Sequence, residues 1–317
     1  MKKFIVVALI ILMCVPFSAF AGGGRDRGGD DGRLRVGVSL GPANNAWHAK
    51  LREVIDDAVS HHPDIEWTVR NAQSAADQLN MLTVFMNEDF DAILIMPTDG
   101  NLLAPISEQI FRNGTRTIIL NRAIASQNYT AFVAGDNFGA GVNAARFTGQ
   151  RLNGQGNIAY LRSHAGTPID MERNAGFMST LTREFPNIRI LVEGDGEFNR
   201  EAGLRAMTNI LPAFPQIDAV ITHDDEAALG AITAIEAANR TDIRFVTGMG
   251  GTRPAYERLR DNDRLFAASM SYFPAMGYDG IEMVVRVLRG IPFPKDTLLS
   301  SVIVSRDNVM QFWDDSY

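Results

Sequence analysis

DAVITHDDEAALGAI (218–232) contains the repeating unit of the chain. DAVIT is a short β-rich run. His223 and Asp224 interrupt it, and apolar residues then return at helical spacing, so a strand passes directly into a helix over about 225–239. Asp224, Asp225 and Glu226 fall at the start of that helix, where free N–H groups and the helix dipole favour acids. The same unit recurs on both sides. Upstream, LRVGVSL (34–40), AILIM (92–96), TIILN (117–121) and AFVAG (131–135) are β-rich. Between them, Trp47, Leu51, Val54, Ile55 and Ala58 share one face of a helix over about 46–60. Leu79, Leu82 and Met86 mark another over about 75–87.

Strands at 157–161 and 188–193 precede DAVIT, with helices near 170–184 and 200–211. After it come strands at 243–247 and 265–270 and helices near 253–261 and 275–289. Strands alternating with helices of this length make βαβ units and parallel sheets covered on both faces. About ten strands strain a single doubly wound sheet. The fold class is therefore α/β, with two Rossmann-like lobes and a cleft between them. Ligands of such sheets sit beyond the carboxyl ends of the strands, so the residues that follow each strand carry the function.

Several chemistries are excluded. The chain has 317 residues, 46% hydrophobic and 21% charged, as expected for a globular protein of about two domains. A net charge of −7 is wrong for a general nucleic-acid binder. One cysteine makes no internal disulfide and no cysteine-rich metal site. The Walker loop, GxSxG and HExxH are absent, and GMGGTR (248–253) lacks the third glycine of a dinucleotide fingerprint. His223-Asp224-Asp225-Glu226 is the best metal candidate, but four consecutive residues at a helix start point in different directions. No enzyme activity, cofactor or metal is expected.

The first 21 residues have the form of an export signal. Lys2 and Lys3 precede an apolar run from Phe4 to Met13, and Ala19-Phe20-Ala21 supplies a cleavage site. The run is about half the length needed to span a bilayer. Cys14 would carry the lipid of a lipoprotein, but Met13 precedes it where such sites take Gly or Ala. Cleavage after Ala21 would leave an acidic, cysteine-free chain suited to an oxidising compartment. GGGRDRGGDDGR (22–33) has nothing to bury and is expected to be a flexible tether.

The post-strand segments together resemble a known family. VGVSLGPANNAWHAKL (36–51), ILIMPTD (93–99), IILNRAI (118–124), VAGDNFGAG (133–141), AGTPIDMERNAGF (165–177), AVITHDDEAALGAI (219–232) and GMGGT (248–252) follow one another in order. The chain resembles periplasmic sugar-binding proteins of the ribose-binding type, the substrate-binding components of ABC importers. The likeness covers nearly all of residues 34–310. Lactose-repressor-type regulators share this core but carry an N-terminal helix-turn-helix in place of the apolar leader.

The resemblance implies one lobe from 34–135 with 273–298 and another from 136–272 with 299–317. Crossovers would fall near 133–137, 269–274 and 292–300. It further implies a monomer that closes on a sugar or polyol and delivers it to an ABC permease in the inner membrane. The alternative recipient is a membrane kinase or chemoreceptor. No nucleic acid is involved.

The family's binding positions carry over individually. Asn45 would hydrogen-bond a hydroxyl, and Trp47 would stack on an apolar sugar face. His48 stands where ribose binders have a second aromatic. Arg122 and Arg173 would each present a guanidinium fork, one from each lobe. Phe198 would form the second stacking wall, whereas His164 matches no family contact and is assigned to a loop.

Five positions depart from the family pattern. Met96 replaces an amide, Asn121 an acid, Asp224 an amide, Gly250 a second acid and Tyr272 an amide. One acid then faces two arginines, an imbalance to be met by the ligand, another acid or water. The expected ligand is therefore not ribose but another sugar or polyol, with sugar acids included, and Met96 and Gly250 suggest either fewer hydroxyls read on one side or more room.

Overall fold

The computed structural model describes residues 32–317. The export signal, Cys14 and all but the end of the tether lie outside the described residues. The first half of the chain forms β1 (Leu34–Leu40), α1 (Ala46–Ser60), β2 (Ile65–Asn71), α2 (Ala75–Asn87), β3 (Ala92–Ile95), α3 (Ala104–Arg112), β4 (Arg116–Leu120) and β5 (Ala131–Gly135). It continues with α4 (Asn137–Arg151), β6 (Gln155–Arg162), α5 (Pro168–Glu184), β7 (Asn187–Asp195), α6 (Arg200–Ala213) and β8 (Ala219–Thr222). Then come α7 (Asp225–Ala237), β9 (Phe245–Gly250), α8 (Arg253–Arg260) and β10 (Phe266–Ser271). Last are α9 (Met276–Leu288), β11 (Asp296–Leu299), β12 (Ile303–Ser305) and a 3-10 turn at Val309–Phe312.

These strands make two six-stranded sheets, ordered β11-β5-β4-β3-β1-β2 and β12-β10-β9-β8-β6-β7. Every pairing is parallel except β10 with β12. The central strands are apolar throughout because helices cover both faces of each sheet. In β3, Leu94 joins Val36, Val38 and Ile55 on one face, while Ile93 and Ile95 join Phe85 and Phe90 on the other. The second sheet is buried in the same way by two further clusters, one around Ile232 and Tyr256 and one around Tyr160 and Phe177.

The chain passes between the sheets after β5, after β10 and after β11. All three passages meet the carboxyl edge of the first sheet or the second, so those two edges face each other. Most helices begin on a capping side chain that follows a strand. Asn45, Asp136 and Asp224 each accept a hydrogen bond from a first-turn N–H. Thr167 does the same for α5, which opens on Pro168.

Two helices escape the periodicity reading for local reasons. α3 is only nine residues long and starts without a side-chain cap. α4 carries three glycines, which lower its helical propensity. Gly141 serves packing instead: a Cβ there would run into the Arg173 carbonyl, and one at Gly176 of α5 would run into that of Phe138. The α4 and α5 backbones therefore lie close together, and Arg173 is held beside Asn137.

Candidate ligand-binding site

The residues singled out from the sequence lie at the facing carboxyl edges of the two sheets. Tyr272, just beyond β10, stands between the lobes. Its hydroxyl donates to Asn121 Oδ1 at 2.7 Å, and its backbone carbonyl accepts from Trp47 Nε1 at 2.9 Å. The Arg173 guanidinium lies 5.1 Å from the centre of its ring. One residue at the passage between sheets thus touches the first lobe twice and the second once.

On the first lobe, Asn121 adopts φ 68°, a left-handed conformation that asparagine tolerates well. This turns the chain after β4 and brings Arg122 over the Thr98 carbonyl, to which its Nη1 donates at 3.2 Å. Burial lowers the Arg122 pKa, with the nearby Tyr272 opposing. Trp47 packs against the first-lobe core, with its ring 6.1 Å from that of Tyr272. His48 lies edge-on to Trp47. Burial and the charge of Arg122 push the His48 pKa down to about 4, so the imidazole is neutral at pH 7. Its Nδ1 is buried with no hydrogen-bond partner among the described residues. A neutral ring nitrogen in that position suits a ligand hydroxyl. Asn45 is committed locally, its Oδ1 accepting the His48 N–H at 2.9 Å to cap α1.

On the second lobe, Arg173 is buried. Its Nε donates to Asn137 Oδ1 at 3.1 Å and its Nη1 to the His223 carbonyl. Burial lowers its pKa, while Tyr272, Asp224, Tyr317 and Asp225 act the other way. Phe198 sits in a left-handed turn, its ring 5.9 Å from the Arg173 guanidinium and 5.5 Å from His164. His164 is on an exposed loop.

The HDDE segment divides its four side chains among four tasks. His223 reaches inward to Tyr160. Asp224 caps α7 through Glu226 N and Ala227 N. Asp225 accepts from Gly251 N at 2.7 Å, Thr252 N at 2.9 Å and Ser269 Oγ at 2.7 Å. Glu226 pairs with Arg200 on the surface. Among the described residues, no group of three or more His, Cys, Asp or Glu side chains is placed to hold a metal ion.

The charge reading changes as a result. Asp225 is a second acid behind Asp224, and both act on Arg173. Burial and the neighbouring Asp225 push the Asp224 pKa up to about 7. Burial raises the Asp225 pKa too, so the two carboxyl groups offset the charge of Arg173 only in part, and Arg122 stands apart from them. Of the two readings of Met96 and Gly250, the extra room does not hold. Met96 is buried in the first-lobe core. The space above Gly250 is occupied by the Tyr317 hydroxyl, 2.7 Å from where a Cβ would stand.

A family model described as a periplasmic binding protein domain matches residues 36–292. The chain belongs to this periplasmic binding protein family. Its relatives include the ribose import binding protein of Bacillus subtilis, 26% identical over 248 residues, which span 78% of this chain and 79% of that protein. A solved ABC transporter solute binding protein from Bacillus halodurans, with bound myo-inositol, superposes with a TM-score of 0.81 at 26% identity. That match covers 90% of this chain and 99% of the other. The fructose binding periplasmic domain of a hybrid two component system gives a TM-score of 0.78 at 27% identity, covering 89% and 93%. Periplasmic binding proteins are substrate-binding proteins, which accords with two lobes whose strand ends face each other.

Sequence reasoning missed Asn137, Asp225 and Tyr317. Asn137 and Asp225 resembled ordinary first-turn polar residues, and no local signal separated them from that role. Tyr317 lies 67 positions from Gly250 in the sequence, beyond the reach of any spacing rule.

Proposed function

We propose that this protein captures a neutral sugar or polyol in the periplasm and delivers it to an ABC permease. The observation that carries the reading is the pair of guanidinium groups, Arg122 from the first lobe and Arg173 from the second, both close enough to Tyr272 to act on its phenol. A guanidinium fork suits ring and hydroxyl oxygens, and Trp47, Tyr272 and Phe198 supply aromatic faces for the apolar side of a sugar. The neutral His48 on one lobe and the acids behind Arg173 on the other favour an uncharged ligand over an anion. Its relatives include proteins named for ribose and for bound myo-inositol, both rich in hydroxyls. The N-terminal leader, cleaved after Ala21, would route the chain to the periplasm, where it acts as a monomer without catalysis.

The relative from a two component system supports a second reading, in which the closed form signals to a membrane kinase. Loss of uptake of the bound sugar on deletion of the gene favours import, and intact uptake with lost transcriptional induction favours sensing.

The direct test is thermal unfolding with D-ribose, D-fructose, D-allose, myo-inositol, xylitol and D-gluconate. A ligand at 100 times its Kd adds about 2.7 kcal/mol, several degrees for a protein of this size. At least one neutral probe is expected to do so. Stabilisation by gluconate above every neutral probe contradicts the neutral ligand, and no stabilisation by any probe contradicts sugar binding.

A further inference from the structure

We propose that Tyr317, the last residue of the sequence, is a ligand-contacting residue whose phenol hydroxyl reads an oxygen of the bound sugar from the second lobe. The proposal rests on the reading of the cleft as a sugar site.

Its first support is position. Gly250 closes β9 at the carboxyl edge with φ 137°. A Cβ there would stand 2.7 Å from the Tyr317 hydroxyl and 3.4 Å from Asp225 Oδ2, so hydroxyl and carboxylate flank one spot at the strand end. The resemblance puts a second acid at 250, and here a tyrosine from a remote part of the chain fills the space instead.

Anchoring is the second support, because a contact residue must be held in place by its surroundings. Arg253 N–H donates to the Tyr317 carbonyl at 2.6 Å, and Tyr317 N–H donates to the Gly251 carbonyl at 3.3 Å. Four residues earlier, Trp313 makes a double cation contact: the guanidinium groups of Arg253 and Arg260 lie 4.4 Å and 4.8 Å from its ring centre. Phe312 stacks on Phe273, the neighbour of Tyr272, with centroids 5.9 Å apart. This segment is thus fastened both to the loop after β9 and to the passage between the lobes.

Electrostatics is the third. The phenol lies in the field of Asp224, Asp225 and Arg173, the charged groups of the second-lobe site. Burial and the two acids raise its pKa well above the usual value, so the hydroxyl keeps its proton. An acid at this place would only accept hydrogen bonds, whereas a phenol both donates and accepts and adds no charge. That chemistry matches an uncharged polyol.

The test is calorimetric titration of the full chain and of Tyr317→Phe with D-ribose, D-fructose, D-allose, myo-inositol and xylitol. Tyr317→Phe keeps the ring and its packing and removes one hydroxyl. The expected result is about 3–10-fold weaker binding of the best probe, the scale of one hydrogen bond, with the unfolding temperature of the free protein unchanged. Tyr278→Phe, which removes an exposed hydroxyl bonded to Asp57, is the control and leaves affinity unchanged. Equal affinity for Tyr317→Phe and the unaltered protein overturns the assignment of Tyr317 alone. Failure of the unaltered protein to bind any probe overturns the sugar reading and this proposal with it.

Discussion

Arg173→Ala weakens sugar binding at least tenfold. Hydrogen bonds to a charged group contribute about 1.5–3 kcal/mol each, and a guanidinium fork makes more than one. Protein partners already hold Nε and Nη1, which fixes the plane of the group. Pre-set in this way, it loses little freedom when a ligand arrives. Arg173→Lys keeps a charge but not the fork, and it recovers only part of the affinity. Calorimetric titration with the sugar that most stabilises the unaltered protein measures both variants. Full affinity in Arg173→Ala would remove Arg173 from the site.

The largest effect on stability is expected from Asp170→Ala. Asp170 has no exposed side-chain surface and accepts from Arg162 Nε at 3.1 Å and Arg162 Nη2 at 2.5 Å. His223 Nδ1 lies 3.2 Å away, and His223 Nε2 meets the Tyr160 hydroxyl. Arg162 keeps its pair with Glu193, but His223 and part of the Arg162 fork lose their acceptor, at a cost of about 1–3 kcal/mol. At about 2–4 °C per kcal/mol, the melting temperature falls by roughly 2–12 °C. The same network makes stability depend on pH. Burial lowers the His223 pKa to about 4, with Asp170 opposing, so the unfolded chain takes up a proton below about 6.5 that the folded chain refuses. Stability is therefore lost as pH falls from about 6.5 towards 4. Asp170 adds a second loss at lower pH. Burial works to raise its pKa, but the hydrogen bonds from His223, Arg162 and Gly166 N–H hold it below the carboxylate range. That contribution is present above about 3.8 and disappears as the carboxylate is protonated. Melting temperatures of the unaltered protein and Asp170→Ala from pH 4 to 8 measure the cost of the substitution and the loss due to His223, and a difference under about 2 °C at pH 7 contradicts the role of the network.

Arg173 connects these two predictions. The His223 carbonyl that anchors its guanidinium belongs to the residue whose ring joins Asp170 and Tyr160. Damage to the buried network is therefore expected to reach the ligand site through the strand end after β8.

The alternation of strand and helix was legible in the sequence wherever one element carried a full apolar pattern. α1 and α2 occupy the residues their periodicity marks, because each presents one apolar face to a sheet. β2 has only one fully buried residue, Ile65, and as an edge strand it lacks the apolar run of its neighbours. The β9 reading began early, because Ile243 is buried in the core before the strand starts at Phe245. In the site, the divergence of His223, Asp224, Asp225 and Glu226 followed from helix geometry alone. The partners of Asp225 and the arrival of Tyr317 over Gly250 did not, because both depend on contacts between distant parts of the chain.

The central claim is that the two lobes close on a sugar held between Arg122 and Arg173. Small-angle X-ray scattering of the mature chain, with and without the sugar that most raises its melting temperature, tests this most directly. A smaller radius of gyration at saturation, absent in Arg173→Ala at the same sugar concentration, is the predicted result. An unchanged radius with a sugar that binds and stabilises the protein would contradict it.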